Sequence, residues 1–561
     1  MAAQTRLAEN AAPLDALLVD AAIGPFRRFT PDISTAKWAL SLASTPRATA
    51  HRLGRLGGEA RRIVTGHSEI APKRGDRRFA DNAWTENPLL KRLVQIYLAG
   101  GQTLDELVST ADLDPRDRKR VRFLMENIVE AVAPSNIPLV NPASAKAVID
   151  TAGLSLVRGG KAALNDALSS PRIPEMVDTS AFTLGGNVAT TPGNVVFRSD
   201  VLELIQYKPQ SEEVYEVPVL IVPPTINKFY AIDLAPERSL VEYSVRNSRQ
   251  MFVISWRNPD ARHAAWGFDT YVRSILEALE AVEEITGSDT TMLAGICSGG
   301  ILASITAAYL AGIGREDRLA GLILAVTVID NAGAGTVSAI VDERMAKLAK
   351  ARSARKGYLD GRALAEVFAW LRPGDLIWNY WVNNYLLGKK PPAFDILFWN
   401  ADTTRMTAAL HADFVDLAMG NSLTRPGALT VLGVPIDLEK VTLDSYIVAG
   451  IADHITPWEN CYQSTQLFGG TSRFVLSTSG HIAALVNPPG NPKATFQTND
   501  DSPADPKVWL KGAETHQGTW WTDVTEWLRP RSGAKIPAPA TLGSTRLQPL
   551  EEAPGVYVFD K

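Results

Sequence analysis

The stretch Leu293-Ala-Gly295-Ile-Cys297-Ser-Gly299-Gly300 constrains this chain more than any other. It has the form Gly-x-nucleophile-x-Gly, with cysteine at the nucleophile position. Ahead of it, residues 290–294 (TTMLA) form a short apolar run that predicts a buried strand. Behind it, residues 298–312 (SGGILASITAAYLAG) are small and apolar at helical spacing. Strand, tight glycine turn and helix are the context this motif requires, because the nucleophile must project from a strained turn at a sheet edge. Gly295 and Gly299 suit a place where neighbouring backbone passes close to that turn. A cysteine at the start of the following helix faces backbone N–H groups and the positive end of the helix dipole, which favour a thiolate. A cysteine merely packed at a strand–helix junction would need no glycine on either side.

A chain of 561 residues exceeds what one simple core usually serves, which predicts two domains or one enlarged domain. An apolar share of 45%, a charged share of 21% and a net charge of −4 are ordinary for a soluble globular protein. They argue against wholesale nucleic-acid binding, which needs a strongly basic domain. The two cysteines, Cys297 and Cys461, cannot build a disulfide framework, and no Cys/His cluster has zinc spacing. A cytoplasmic chain with no metal and no cofactor is the expectation. Arg6, Glu9, Asp15 and Asp20 interrupt the N-terminus, so it lacks a signal-peptide core. The longest apolar run, 322–329, is too short for a transmembrane segment.

Residues 26–78 hold twelve Lys/Arg against four Asp/Glu, a local charge of +8, with Trp38, Leu40, Leu42, Leu53 and Leu56 interleaved. Such a segment either docks on an anionic or amphiphilic surface or presents a solvated helical face. Residues 87–133 have helical periodicity, and prolines at 134, 138, 142, 171 and 174 mark joints. From 195 onward strand and helix alternate: 217–222, 251–255, 290–294 and 321–329 predict strands, and 240–245 and 271–285 predict helices. The rhythm stops at Asn331 and resumes near Val441. The intervening residues are rich in aromatics (Phe368, Trp370, Trp378, Trp381, Phe398, Trp399), which suggests a cap over an active site. The expected architecture is therefore a mainly helical N-terminal domain over 1–190 and an α/β-hydrolase domain over 191–535. The hydrolase domain carries a mostly parallel sheet with flanking helices and a cap at about 331–440, and a tail covers 536–561.

A thiol nucleophile needs a base, and the base needs an orienting acid. In α/β-hydrolases these follow the nucleophile in the order acid, then histidine. Residues 446–453 (YIVAGIAD) are an apolar strand running into a turn that presents Asp453, and 474–481 (FVLSTSGH) are a second strand ending on Gly480-His481. Cys297, Asp453 and His481 thus each follow a parallel strand, where open α/β sheets bind ligands. His454 is a secondary candidate for the base, but consecutive side chains diverge, so Asp453 is poorly placed to orient its own neighbour. His51, His67, His263, His411 and His516 have no such context. Cys461, in a helix predicted over 459–467, suits a structural role. An oxyanion hole needs two backbone N–H groups. Ser298, directly after the nucleophile, supplies one. The loop 223–228 supplies the other, with the Ile226 amide as the choice and Asn227 as a secondary candidate.

Cysteine in place of serine carries its own chemical consequence. The acyl-enzyme is a thioester, an activated acyl group. Loading from another thioester is nearly isoenergetic, and transfer to an alcohol is downhill. Acyl transfer from a thioester to a hydroxyl is favoured over simple hydrolysis.

Over residues 76–532 the chain resembles the polyhydroxyalkanoate synthases. The resemblance rests on FADNAW (79–84), TPGNVVFR (191–198), VPPTINKFYAIDL (222–234), SWRNPDARHAAWG (255–267), GICSGG (295–300), AFDILFWNADTTR (393–405), AGIADHITPW (449–458) and SGHIAALVNPP (479–489). It implies an α/β-hydrolase catalytic domain, a homodimer, (R)-3-hydroxyacyl-CoA as substrate and a growing polyester chain as product. It also implies a place at the surface of cytoplasmic polyester granules, in company with phasin-type granule proteins. The family's nucleophile, acid and base fall on Cys297, Asp453 and His481. The elbow Cys-Ser-Gly-Gly and the phrase NPDARHAAWG resemble the medium-chain (class II) single-subunit synthases, and the tail 552–558 (EAPGVYV) resembles the short-chain class I. Two other readings are a cysteine α/β-hydrolase acting on thioesters or lactones and a non-catalytic granule-coat protein. The second would leave the Cys/Asp/His set idle.

Overall fold

The computed structural model describes residues 14–24, 31–332, 343–453 and 455–561. The chain forms two compact units. One comprises Met1–Ala22, Thr179–Gly361 and Phe394–Lys561, and the other Ile23–Asp178 and Arg362–Ala393.

The unit that carries the cysteine motif is built on a ten-stranded sheet. Its strands are β1 (Gly193–Arg198), β2 (Leu202–Tyr207), β3 (Val219–Val222), β4 (Met251–Trp256) and β5 (Thr291–Ile296). They continue as β6 (Leu319–Ala325), β7 (Ser445–Gly450), β8 (Ser472–Ser477), β9 (Thr495–Thr498) and β10 (Glu514–Gln517). The spatial order is β1-β2-β4-β3-β5-β6-β7-β8-β9-β10. Pairings from β4 through β8 are parallel. The outer strands at both edges attach antiparallel. This is the α/β-hydrolase sheet that the alternating pattern predicts. Its parallel centre is buried on both faces, which is why β3, β4, β5 and β7 are buried along their whole length. The helix Ser298–Gly312 is likewise buried on nearly every side, so its composition shows no polar stripe.

The structure departs from the sequence expectations in three places. Strand β6 ends at Ala325 rather than running to 329, because Val326 turns to φ 45° and gives its N–H to the Val448 carbonyl at 2.8 Å. The antiparallel strands β2, β9 and β10 carry too many polar residues to show an apolar run. The aromatic segment 331–440 is divided between the units, with 362–393 joining the mainly helical one.

That second unit explains where many of the aromatic side chains go. Trp370, Trp378, Trp381 and Tyr385 pack edge to face in succession. Trp381 Nε1 donates to the Asn136 carbonyl at 3.1 Å, and Tyr385 Oη donates to Asp166 at 2.6 Å. Gly159 lets helix Leu154–Leu168 touch the backbone of Tyr385, where an added Cβ would lie 1.9 Å from the carbonyl oxygen. Asn87 and Asn141 cap their helices ahead of a proline at the first helical position.

Close backbone approach at the motif gives a direct test. A Cβ on Gly299 would lie 2.3 Å from the Val222 carbonyl oxygen and 2.4 Å from that of Pro223. Gly299→Ala is expected to destabilise the unit that carries the cysteine motif by about 1–3 kcal/mol, the usual cost of forcing atoms into a packed interior. Gly160→Ala, where an added Cβ meets nothing within 4 Å, is expected to be neutral or slightly stabilising. Urea titrations of the two variants against the parent check this, and equal midpoints for both would refute it.

Candidate active site

Cys297 stands between β5 and the buried helix at φ 51° and ψ −120°, a left-handed conformation that a side chain adopts only under constraint. The constraint is visible on every side. The Cys297 N–H donates to the Ala325 carbonyl at 2.9 Å, and its own carbonyl accepts from Gly300 N–H at 2.9 Å. Thr327 Oγ1 donates toward the carbonyls of Ala325 at 3.0 Å and Cys297 at 3.4 Å. A Cβ on Gly300 would lie 2.0 Å from that Thr327 oxygen, so glycine is what lets the strands close around the turn.

Asp453 follows β7 and His481 follows β8, and the structure brings both to Cys297. His481 Nδ1 is 2.7 Å from Asp453 Oδ2. Cys297 favours the charged form of the same imidazole, and with Nδ1 on Asp453, Nε2 is the ring nitrogen left to serve the thiol. Cys297, Asp453 and His481 are 7%, 2% and 9% exposed, so the set is largely shielded from bulk water. Burial alone would push the His481 ring toward neutrality. The Asp453 carboxylate and the Cys297 contact outweigh it and hold the ring up to about 10. Burial also opposes ionisation of Asp453, but the imidazole beside it and hydrogen bonds from Thr456 keep its carboxyl below the ordinary 3.8.

Thr456 is the member of this cluster that the sequence reading missed. Its N–H donates to Asp453 Oδ1 at 2.9 Å and its hydroxyl to Oδ2 at 2.6 Å, and that hydroxyl lies 3.1 Å from His481 Nδ1. Ile455 N–H adds a third bond to Oδ1 at 2.8 Å. The spacing Asp-x-x-Thr ahead of a proline is the signal available in the sequence, since a side-chain oxygen that caps the N–H two and three residues on builds this turn. His454, the alternative base, lies outside the described residues. Cys461 is fully buried in helix Trp458–Gln463, its thiol pushed well up by burial and directed at the Thr456 carbonyl. It packs behind the acid loop, in keeping with a structural role.

The two oxyanion candidates also adjoin the turn. Ser298 is the first residue of its helix, a position whose N–H has no intrahelical partner. Its Oγ accepts from Thr225 N–H at 3.0 Å, which ties the loop after β3 to the elbow. Ile226, next along that loop, is buried, and its carbonyl accepts from Thr404 N–H at 3.2 Å. Asn227 turns its amide to the Trp399 carbonyl at 3.5 Å. A cavity of about 20 Å³ lies against Cys297, walled by Ile301, Asn331, Phe414, Leu417 and Thr456 among others. That is room for one water. Phe414 and Leu417, on helix Ala408–Gly420, form part of its wall.

The charged pair has a pH signature. His481 is raised from 6.5 to about 10, so its contribution to stability is complete below 6.5 and is lost as pH rises through 10. Asp453 is lowered from 3.8, so its contribution is present above 3.8 and lost as pH falls through its folded value. The stability gap between the parent and Asp453→Asn is expected to be widest between about pH 4 and 6.5 and to narrow toward pH 10. Urea melts at pH 5.5 and 9.5 check the sign, and a gap that widens with pH would contradict it.

Residues 75–244 match the model of the poly-beta-hydroxybutyrate polymerase (PhaC) N-terminus, and residues 218–488 match the alpha/beta hydrolase fold. Poly(3-hydroxyalkanoate) polymerase 1 of Ectopseudomonas oleovorans is 46% identical over 94% of this chain and 94% of its own. The poly(3-hydroxyalkanoate) polymerase subunit PhaC of Cupriavidus necator is 41% identical over 89% of this chain and 85% of its own. With an α/β-hydrolase sheet that presents a cysteine nucleophile motif, and relatives at this identity over nearly its whole length, the chain belongs to the poly(3-hydroxyalkanoate) polymerase family of acyltransferases.

Proposed function

We propose that this protein polymerises (R)-3-hydroxyacyl groups from CoA thioesters into polyhydroxyalkanoate, releasing CoA, through a thioester on Cys297. The observation that carries the reading is the placement of Cys297, Asp453 and His481 just past the ends of three parallel strands, with His481 Nδ1 2.7 Å from Asp453 Oδ2. In loading, the Cys297 sulfur, its proton already held by His481, attacks the thioester carbonyl, the C–S bond to CoA breaks, and His481 gives that proton to the departing CoA sulfur. In extension, His481 takes the proton of a 3-hydroxyl, whose oxygen attacks the acyl-Cys297 carbonyl. The hydroxyl belongs to an incoming 3-hydroxyacyl-CoA, so as the C–S bond to Cys297 breaks, with the proton left on His481, the lengthened chain is still a CoA thioester and reloads the freed sulfur. The N–H groups of Ser298 and Ile226 receive the oxyanion in both steps. No cofactor is needed, because the CoA thioester is the substrate.

The reading extends to a cytoplasmic homodimer held at the polyester granule surface, with phasin-type proteins as neighbours. Its support is the basic segment. Helix Pro46–Thr65 exposes Leu53 (51%) and Val64 (64%) among Arg47, Arg52, Arg55, Arg61 and Arg62, the pairing of apolar and cationic groups that suits an amphiphilic surface. Among the described residues no helix is long and apolar enough to cross a membrane.

Incubation with a 3-hydroxyacyl-CoA tests the central reading. Turbid insoluble polyester with stoichiometric free thiol is expected, whereas soluble hydroxy acid would mark a hydrolase. Cys297→Ala is expected to abolish CoA release in a folded protein, and Cys297→Ser to be nearly inactive. Asp453→Asn is expected to separate the two half-reactions. Loading persists in part because a thiol ionises readily, but extension must deprotonate an alcohol and should fall by ~10²–10⁴. Single-turnover thiol release against polymer growth reads the two steps, and equal losses in both would mean that Asp453 serves them alike. Removal of residues 1–78 is expected to weaken partition onto granules, and unchanged partition would show the segment to be a solvated face.

A further inference from the structure

One buried amine joins the C-terminal residues to the loop after β3. Lys228 ends that loop, is 3% exposed, and donates from Nζ to the carbonyl oxygens of Tyr557 at 3.1 Å and Asp560 at 2.9 Å. Both acceptors are neutral carbonyls. Burial holds the amine down at about 8, against the pull of the Asp402 and Asp560 carboxylates.

Each end of the link is firmly seated. On the C-terminal side, Val556 and Tyr557 N–H donate to the buried carboxylate of Glu203 on β2 at 3.0 and 2.9 Å. Tyr557 Oη donates to the Ser199 carbonyl at 2.7 Å, and Asn258 Nδ2 donates to the Asp560 carbonyl at 3.2 Å. Val558 is fully buried in the core of the catalytic unit. On the loop side, the Lys228 carbonyl accepts from Trp399 Nε1 at 2.7 Å, and Thr225 N–H reaches the elbow at Ser298 Oγ. Filling this space needs only an unbranched apolar chain, and a buried ammonium is a costly way to do it. What lysine adds is two directed bonds that fix the end of the loop.

We propose that Lys228 is a positioning residue for acyl transfer: by gripping the Tyr557 and Asp560 carbonyls it fixes the 223–228 loop, so that the Ile226 N–H keeps its place beside Cys297. The proposal rests on Ile226 as an oxyanion donor, and the test separates the two. Lys228→Met in the full chain is measured in three ways: CoA release from 3-hydroxybutyryl-CoA, alkylation of Cys297 by iodoacetamide, and amide hydrogen exchange of residues 223–230. Alkylation uses the same sulfur but forms no oxyanion. Loss of a whole oxyanion donor costs about 10²–10³ in kcat, so a loosened one is expected to cost about 10–10²-fold with KM nearly unchanged. Alkylation should keep its rate and the loop should exchange faster. A loop still protected in the folded variant overturns the proposal, as does alkylation that falls in step with CoA release. Faster loop exchange with full CoA release overturns the Ile226 reading instead. A chain ending at Gly555 repeats the test without touching the loop. It should show the same pattern, reversed by adding a peptide of residues 552–561, and no recovery in the presence of bound peptide counts against the proposal.

Discussion

The backbone at Cys297 sits in a conformation that costs a non-glycine residue about 1–3 kcal/mol, and much of the catalytic unit's centre is arranged to keep it there. The strands on either side supply carbonyls and N–H groups to the turn, and Thr327 bridges the turn to β6. Glycines at 295, 299 and 300 remove the side chains that would hold these backbones apart. Asp453 and His481 follow β7 and β8 on the same side of the sheet, so the candidate nucleophile, acid and base all stand past the ends of parallel strands. Val326, the next strand end over, also takes a positive φ, and its N–H is held by the Val448 carbonyl. Two strained residues side by side at one sheet edge mark where the fold gives up stability for geometry.

The charges around this turn work in series. Asp453 is buried, yet three donors and the imidazole keep it ionised. That carboxylate in turn outweighs the burial that would neutralise His481. In the proposed cycle the ring carries the Cys297 proton and gives it up to the CoA sulfur, which gains charge as its C–S bond breaks. Once the proton has gone, the ring is a strong base for an alcohol, the weaker acid that extension must activate. The chemistry of cysteine points the same way, since a thioester on the enzyme stays activated toward a hydroxyl.

The centre of this architecture was legible in the sequence because it is made of uniform apolar runs ended by glycine. The helix Ser298–Gly312 and the strands leading to Cys297, Asp453 and His481 lie where the pattern puts them. Edge strands escaped notice for a physical reason: half-exposed antiparallel strands such as Glu514–Gln517 need no apolar run, and in β2 the polar letters conceal buried groups such as Glu203 and Gln206. Thr456 escaped because it acts through two short hydrogen bonds rather than through chemistry of its own. Aromatic residues between 331 and 440 suggested a single cap, yet those in 362–393 pack within the helical unit. Composition records that aromatics are to be buried, not in which core. Lys228 looks like a surface residue in sequence, and only the seating of the C-terminal residues on it gives it a task.

The claim on which the account stands is that the growing chain is held by the sulfur of Cys297. Mass spectrometry of peptides from enzyme quenched soon after mixing with a 3-hydroxyacyl-CoA measures this directly. The account predicts adducts on the Cys297 peptide in a ladder spaced by single hydroxyacyl units, with Cys461 unlabelled. Free hydroxy acid or polymer accumulating with no covalent species on Cys297, or label on Cys461 alone, would contradict it.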